Sequence, residues 1–437
     1  MRSLSAARVS ALAWLGGAVM FGVLVLYATL SLDLRIGLSL VAATLALTAF
    51  SLYPTVRTGL GYAVGALLII GASSTAISAS ETAAVLSVGL RVVGFGVVIV
   101  LSRKRPADAG HMPRSRPRWI YVFGVSLACY FVIGAAFHGQ VVTFVLYSAG
   151  LVLLVAAAVR AQASSDPQLR IGVVLALSTI VGASLLYGLA VPSVGYESGR
   201  LRGFLENANT LGFFAFLLGA SALILVRRSR WRVALLLLAA VVLVLTASRA
   251  SALALVLVVL VLVARRGFLR AAAILLAIML VVSVAYVFDP TLFDPLASLL
   301  RLNDSRSDST STAVRAFLSN PLIGVGVGNE SSIIASSPFR ALAQAGVVGL
   351  LAVLAMWVVL VAQGRRHGAR ALALAVAAIV HSIFEGWLLS PVSPLLAVFV
   401  LVWIAVIADD HQGRPMPQPA PAATPRPVRP TRTGHTR

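Results

Sequence analysis

Apolar residues in this chain fall neither at alternate positions nor at simple helical spacing. They form long unbroken runs separated by short polar connections. The runs lie near 10–30, 36–53, 59–77, 82–101, 119–137, 141–159, 171–190, 209–226, 233–247, 251–264, 269–288, 341–361, 371–389 and 395–408. A helix that crosses the hydrocarbon of a bilayer needs about 20 apolar residues, within a range near 17–25. In lipid, only a structure that satisfies its own backbone groups can span. The pattern therefore predicts an all-α polytopic membrane protein with 12–14 transmembrane helices, the pair around Arg249 and the last run being short.

The connections alternate in charge. Those at 102–118, 160–170, 227–232, 265–270 and 364–370 are rich in arginine, whereas those at 31–35, 78–81, 138–140, 191–208, 246–250, 289–338 and 390–394 lack such clusters or carry acids. The positive-inside rule places the first set and both termini in the cytosol and the second set outside. The run at 10–30 follows Arg2 and Arg8 and is longer than the roughly 7–15 residues of a signal-peptide core, so it reads as a retained helix. Residues 1–408 then form one transmembrane bundle. Its single long external loop, 289–338, has apolar positions at Leu296, Leu299, Leu300 and at Val314, Phe317, Leu318 that predict two short amphipathic helices. Residues 409–437, rich in Pro, Ala and Arg, read as a disordered cytosolic tail.

Composition agrees with this picture. Of 437 residues, 59% are hydrophobic and 11% charged, against roughly 25% charged in soluble domains. A net charge of +21 would suit a nucleic acid. Its concentration in the cytosolic connections, with no compact basic-aromatic module, excludes that partner and favours anionic membrane lipids. A single cysteine, Cys129, allows no intramolecular disulfide and is expected to be a buried packing residue.

Polar residues within or beside the spans carry the candidate chemistry. The stretch 200–249 opens on Arg200, Arg202, Glu206, Asn207 and Asn209, crosses, turns through Arg227, Arg228, Arg230 and Arg232, and returns to Thr246, Ser248 and Arg249. Arg202 and Arg249 then share one membrane face, where two fixed guanidinium groups would suit a lipid-linked anion. Arg301, Arg306, Arg315 and Arg340 are further external cations; an isolated one commonly snorkels or pairs with a nearby acid. His381 and Glu385 lie one turn apart on one face within the span 371–389, where ionisable residues are costly and usually functional. Arg91, at mid-span, needs a partner such as Glu385 or a lipid phosphate. Glu206 and Glu330 have the depth to take a proton from a hydroxyl. The glycines at 324, 326 and 328 lack the Lys-Ser/Thr of a phosphate loop and read as a turn needing close backbone approach.

Three blocks resemble the O-antigen ligase and polymerase family of bacterial envelopes. They are Arg202-Gly203-Phe204 with Asn207 and Asn209-Thr210-Leu211-Gly212; Leu245-Thr246-Ala247-Ser248-Arg249; and Arg306 followed by the segment from Asn320 to Asn329, PLIGVGVGN after its first residue. A fourth similar element, ALAQAGVVG, ends at Gly349. The resemblance implies a GT-C-like bundle in the bacterial cytoplasmic membrane. It would transfer glycan from a polyprenyl-diphosphate-linked donor to a glycan or lipid acceptor at the external face, with neither metal nor other cofactor. Arg202 and Arg249, helped by Arg306, Arg200 and Asn209, would bind the donor. Glu206, Glu330, His381 or Glu385 would supply the base. The family's ligases carry a His-Asn pair whose histidine would fall at about 335–336; here that stretch is Ile334-Ala335-Ser336-Ser337-Pro338-Phe339-Arg340. Its absence favours a polymerase or a member using another base. A lipid-linked oligosaccharide flippase or polytopic transporter, binding the anion with the same arginines, is the alternative from a different class.

Overall fold

The computed structural model describes residues 57–74, 81–102, 118–164, 166–264, 306–331, 334–391 and 393–413. The spans expected at 10–30, 36–53 and 269–288 lie outside these residues, as do the first loop helix near 296–300 and Arg301. The described chain is almost wholly helical. Its helices are α1 (Arg57–Gly71), α2 (Glu81–Leu101), α3 (Arg118–Phe131), α4 (Val141–Ser164), α5 (Pro167–Ala190), α6 (Ala208–Leu225), α7 (Ser229–Thr246), α8 (Arg249–Ala264), α9 (Arg306–Ser319), α10 (Ser337–Arg366), α11 (Ala369–Phe384) and α12 (Pro394–Gly413). A π-helical turn, Val132–Ala136, extends α3. Two-residue strands β1 (Tyr196–Glu197) and β2 (Arg200–Leu201) form a hairpin.

Six helices among the described residues are long and apolar enough to cross a membrane, and five more apolar helices are shorter. Each coincides with a run read from the sequence. Large apolar side chains such as Val125, Leu146, Val152, Leu237 and Val358 point outward, which suits lipid and not water. Cys129 also lies on an exposed face of α3. The expectation of a buried thiol is corrected: neighbouring Tyr130 and Phe131 take the inward positions.

The centre is α6. It is buried along 83% of its apolar stretch, against 22–56% for the other five long spans, and it packs on α5, α7, α8 and α12. Helices in lipid gain little from hydrophobicity and associate through close van der Waals approach at small residues. Here a Cβ on Gly94 of α2 would stand 2.7 Å from the Gly65 carbonyl of α1, and one on Gly172 of α5 would stand 2.5 Å from the Gly59 carbonyl.

One end of the bundle is closed by a carboxylate. Asp409, 6% exposed, meets Arg170 at 2.6 Å, Arg227 at 3.3 Å and Arg370 at 3.3 Å. These arginines come from three basic connections that the charge alternation placed together. Asp409 thus belongs to α12, which continues to Gly413, and a tail starting at residue 409 is corrected accordingly. The buried acid needs its partners, and the helix continues to present it. Arg227 and Arg370 are 71% and 61% exposed, so the Asp409–Arg170 pair carries most of the energy. Asp409→Asn is expected to destabilise the protein by about 2 kcal/mol, one charged hydrogen-bonded group, read as a lowered unfolding midpoint in detergent.

Candidate active site

At the other end of the same helices, stretches far apart in sequence converge. The β1–β2 hairpin turns through Ser198 and Gly199, both with positive φ (50° and 75°), a two-residue turn whose twist matches the strands it joins. Leu201 seats against Gly188 of α5, and the Arg202 and Gly203 amides both donate to the Gly195 carbonyl. This fixes Arg200 toward α6 and α7. Its Nε donates to the Thr246 carbonyl at 2.9 Å and an Nη to Asn209 Oδ1 at 2.5 Å. Asn209 Nδ2 in turn donates to Glu385 at 3.1 Å. Asn207 caps α6, its side chain accepting from the Asn209 and Thr210 amides.

The two neighbouring blocks are in direct contact. A Cβ on Gly212 would stand 2.5 Å from that of Ser248, so only glycine lets α6 approach the turn between α7 and α8. That turn passes through Ala247 in the left-handed conformation (φ 47°, ψ 38°), and Arg249 opens α8 directly after it, half-buried.

Arg202, although two positions from Arg200, turns elsewhere. Its Nε donates to the Val194 carbonyl at 3.0 Å and it stands 3.7 Å from Glu197. The inward arginine of the hairpin is therefore Arg200, and the structure does not bring Arg202 to Asn209. Glu206 is exposed, its amide donating to the Ser73 carbonyl. Arg91, for which Glu385 or a lipid phosphate is the expected partner, keeps its Nε buried without a hydrogen-bond partner among the described residues, and Glu385 is bound instead by Asn209. Arg306 starts α9, and its side chain lies outside the described residues. Arg315 is exposed and reaches Thr312 at 3.5 Å within its own helix.

His381 and Glu385 separate in role. The helix α11 ends at Phe384 and Glu385 caps it in extended conformation, because a 3-10 turn, Gly386–Leu389, follows. The carboxylate therefore sits at the helix end beside Asn209 and not within a span, as the hydropathy alone implied. His381 is one turn deeper and buried. Trp387 Nε1 lies 3.0 Å from its Nδ1, and an indole N–H can only donate. The ring proton is therefore on Nε2, which donates to Ser251 Oγ at 3.0 Å, and Ser248 donates to the same hydroxyl at 2.9 Å. With its one lone pair engaged, the imidazole ties α11 to α8 and to the 3-10 turn.

A second cluster adjoins the first. The helix α10 breaks at Ala345 and Gly346, the latter at φ 60°, ψ −150°, a region open essentially to glycine. The glycine run lies in this break: Val325 donates to the Ala343 carbonyl (2.8 Å), Gly326 to that of Gln344 (3.1 Å) and Val347 to that of Pro321 (2.9 Å). Val327 donates to the Gly134 carbonyl of the π-helical turn at 2.7 Å. Gly324, Gly326 and Gly328 all have positive φ, so the run is a close-approach turn, as its spacing implied. The turn delivers Glu330 to Gln344, whose Nε2 donates to Glu330 Oε1 at 2.5 Å, while the Tyr130 hydroxyl donates to Gln344 Oε1. The other carboxylate oxygen, Oε2, is buried with no hydrogen-bond partner among the described residues.

Between the clusters lies Arg340, which the sequence showed only as one more helix-end cation. It stands one turn before Gln344 on the same face of α10, its Nε donating to the Ile334 carbonyl at 2.8 Å. No spacing rule would have separated it from the other arginines near the ends of the apolar runs. Ser337, in the same turn, donates to the Glu385 carbonyl at 2.7 Å.

Residues 233–350 match the family model described as O-antigen ligase. The match spans the Thr246–Arg249 turn, the glycine run and the α10 break, and supports the O-antigen ligase and polymerase family to which the sequence blocks pointed. No curated protein matches the chain.

Proposed function

Taking as premise a multi-pass membrane chain whose residues 233–350 carry the O-antigen ligase match, we propose that it transfers glycan from a polyprenyl-diphosphate-linked donor to an acceptor hydroxyl, at the external face of a bacterial cytoplasmic membrane. The observation that carries this reading is the convergence of Arg200, Asn209, Thr246 and Glu385 at the bundle end opposite the arginine-rich connections. A diphosphate leaving group gains negative charge as its bond to the sugar breaks. Guanidinium groups already held by backbone carbonyls stabilise that charge without reorganising. Arg200 has this preorganisation, and Arg249 opens the helix beside it.

In the reaction the acceptor oxygen attacks the anomeric carbon. A new carbon–oxygen bond forms, the bond from that carbon to the diphosphate oxygen breaks, and the acceptor proton passes to a carboxylate. Glu330 is our choice of base. Gln344 holds one of its oxygens and leaves the other, Oε2, without a partner among the described residues. His381 lacks a free lone pair, and Glu385 is engaged by Asn209.

The test uses purified protein in liposomes containing polyprenyl-diphosphate-linked oligosaccharide, with longer or transferred glycan as the readout. Wild type is expected to turn over with EDTA present. Glu330→Gln, which keeps shape but cannot take the proton, is expected to lose about 10²–10⁴-fold in turnover while donor binding stays as in wild type. Arginine-dependent movement of the lipid-linked glycan across the bilayer without any product would instead establish a flippase.

A further inference from the structure

Arg340 belongs to neither of the functions so far assigned, yet it lies between them. Its guanidinium abuts the backbone of Gly386: a Cβ built there would stand 2.8 Å from Cζ and from an Nη of Arg340, and 3.0 Å from the Ala335 carbonyl. Gly386 directly follows Glu385, the acceptor from Asn209, and Asn209 is itself bound to Arg200. One turn beyond Arg340 along the same helix, Gln344 holds both the Tyr130 hydroxyl and Glu330. Among the described residues Arg340 makes no ion pair within 4.0 Å, and its only hydrogen bond is the one from Nε to Ile334.

The two arginines share a design. Arg200 is anchored through Nε to the Thr246 carbonyl, and Arg340 through Nε to the Ile334 carbonyl. An arginine held in this way keeps its orientation. One Nη of Arg200 also binds Asn209 Oδ1, whereas the terminal nitrogens of Arg340 make no hydrogen bond among the described residues, which suits planar recognition of phosphate oxygens. A lysine anchored by one N–H lacks the planar fork that meets two phosphate oxygens at once. Glu385 lies between the two cations in the chain of contacts, linked to Arg200 through Asn209 and to Arg340 through the adjoining Gly386.

We propose that Arg340 is a second donor-binding residue, forming the wall opposite Arg200, so that the two guanidinium groups address the two phosphates of the lipid diphosphate. This rests on the diphosphate-donor reading above and adds a specificity to it: the site distinguishes a diphosphate from a monophosphate through Arg340. The transfer step releases the carrier as the polyprenyl diphosphate, so the Arg340 contact would hold donor and spent carrier alike.

The experiment measures binding of undecaprenyl diphosphate and undecaprenyl monophosphate to the full chain in nanodiscs. Wild type is expected to prefer the diphosphate. In Arg340→Ala the diphosphate affinity is expected to fall about tenfold or more, the loss of one charge-assisted contact, with the monophosphate affinity unchanged. Arg340→Lys is expected to recover part of the preference. Arg340→Gln retains a polar side chain in the turn and serves if the alanine variant does not fold; it is expected to behave as alanine does. If Arg200→Ala abolishes diphosphate binding while Arg340→Ala and Arg340→Gln keep the wild-type preference, this inference fails and the donor reading stands. If wild type binds neither lipid, the donor reading fails and takes this one with it. A parallel weakening of both lipids in the Arg340 variants would make the residue structural and also overturn the proposal.

Discussion

Replacing Arg200 with alanine is expected to lower glycan transfer by about 10²–10³-fold, the effect of removing one preorganised donor from a charge-stabilising site. The size follows from how the residue is held. Its Nε and one Nη are bound to Thr246 and Asn209, so alanine removes both the charge and the link between the hairpin and the α6–α7 blocks. The hairpin itself remains, because its anchoring bonds run from the Arg202 and Gly203 amides to Gly195. Arg200→Lys keeps a charge without the fork and should recover little of the rate. Arg202→Ala serves as the contrast. That side chain is bound to Val194 and stands near Glu197, and its loss should reduce transfer less than about tenfold, as for a partly exposed pair. Initial rates with saturating acceptor decide between them. A larger loss at Arg202 than at Arg200 would reverse the assignment.

The second large effect is structural. Gly346→Ala is expected to destabilise the protein by about 3 kcal/mol or more, the strain of a forbidden backbone region added to overpacking. An added Cβ would stand 2.4 Å from the Leu322 carbonyl group and 2.5 Å from the Pro321 oxygen. These are backbone atoms that cannot rotate aside. The turn would have to leave the break in α10, taking Glu330 from Gln344. Unfolding midpoints in detergent measure the loss, with Gly89→Ala as control. Gly89 is exposed on α2 with nothing within 4 Å of a new Cβ, so alanine there should change stability by less than about 1 kcal/mol. An unshifted midpoint for Gly346→Ala would show that the break tolerates a side chain.

Much of the architecture was legible in the order of residues, since lipid imposes long apolar runs and the alternation of charge groups the connections. Asp409 meeting Arg170, Arg227 and Arg370 joins connections that alternation had already grouped. The site was legible as blocks and not as pairings. Arg200 and Arg202 have the same side chain two positions apart, and only the hairpin turn and its seat on α5 decide which one faces Asn209. Glu385 read as mid-span because Gly386–Leu389 is apolar, whereas hydropathy cannot distinguish an α-helix from a 3-10 turn. Arg340 was unreadable for a different reason. Its environment is made by Ile334 and Gly386, 52 positions apart, and neither residue carries any chemical mark of a binding site.

The seat of the glycine run in the α10 break also bears on how this architecture can be recombined. Carbonyls of Ala343 and Gln344 that a straight helix would use internally are taken by Val325 and Gly326, and Pro321 receives the Val347 amide in return. Loop and helix are thus complementary halves of one joint. A chimera that imported a foreign external loop while retaining the native helix would leave unmatched backbone groups at both edges. The joint formed by residues 320–347 should therefore be exchanged whole.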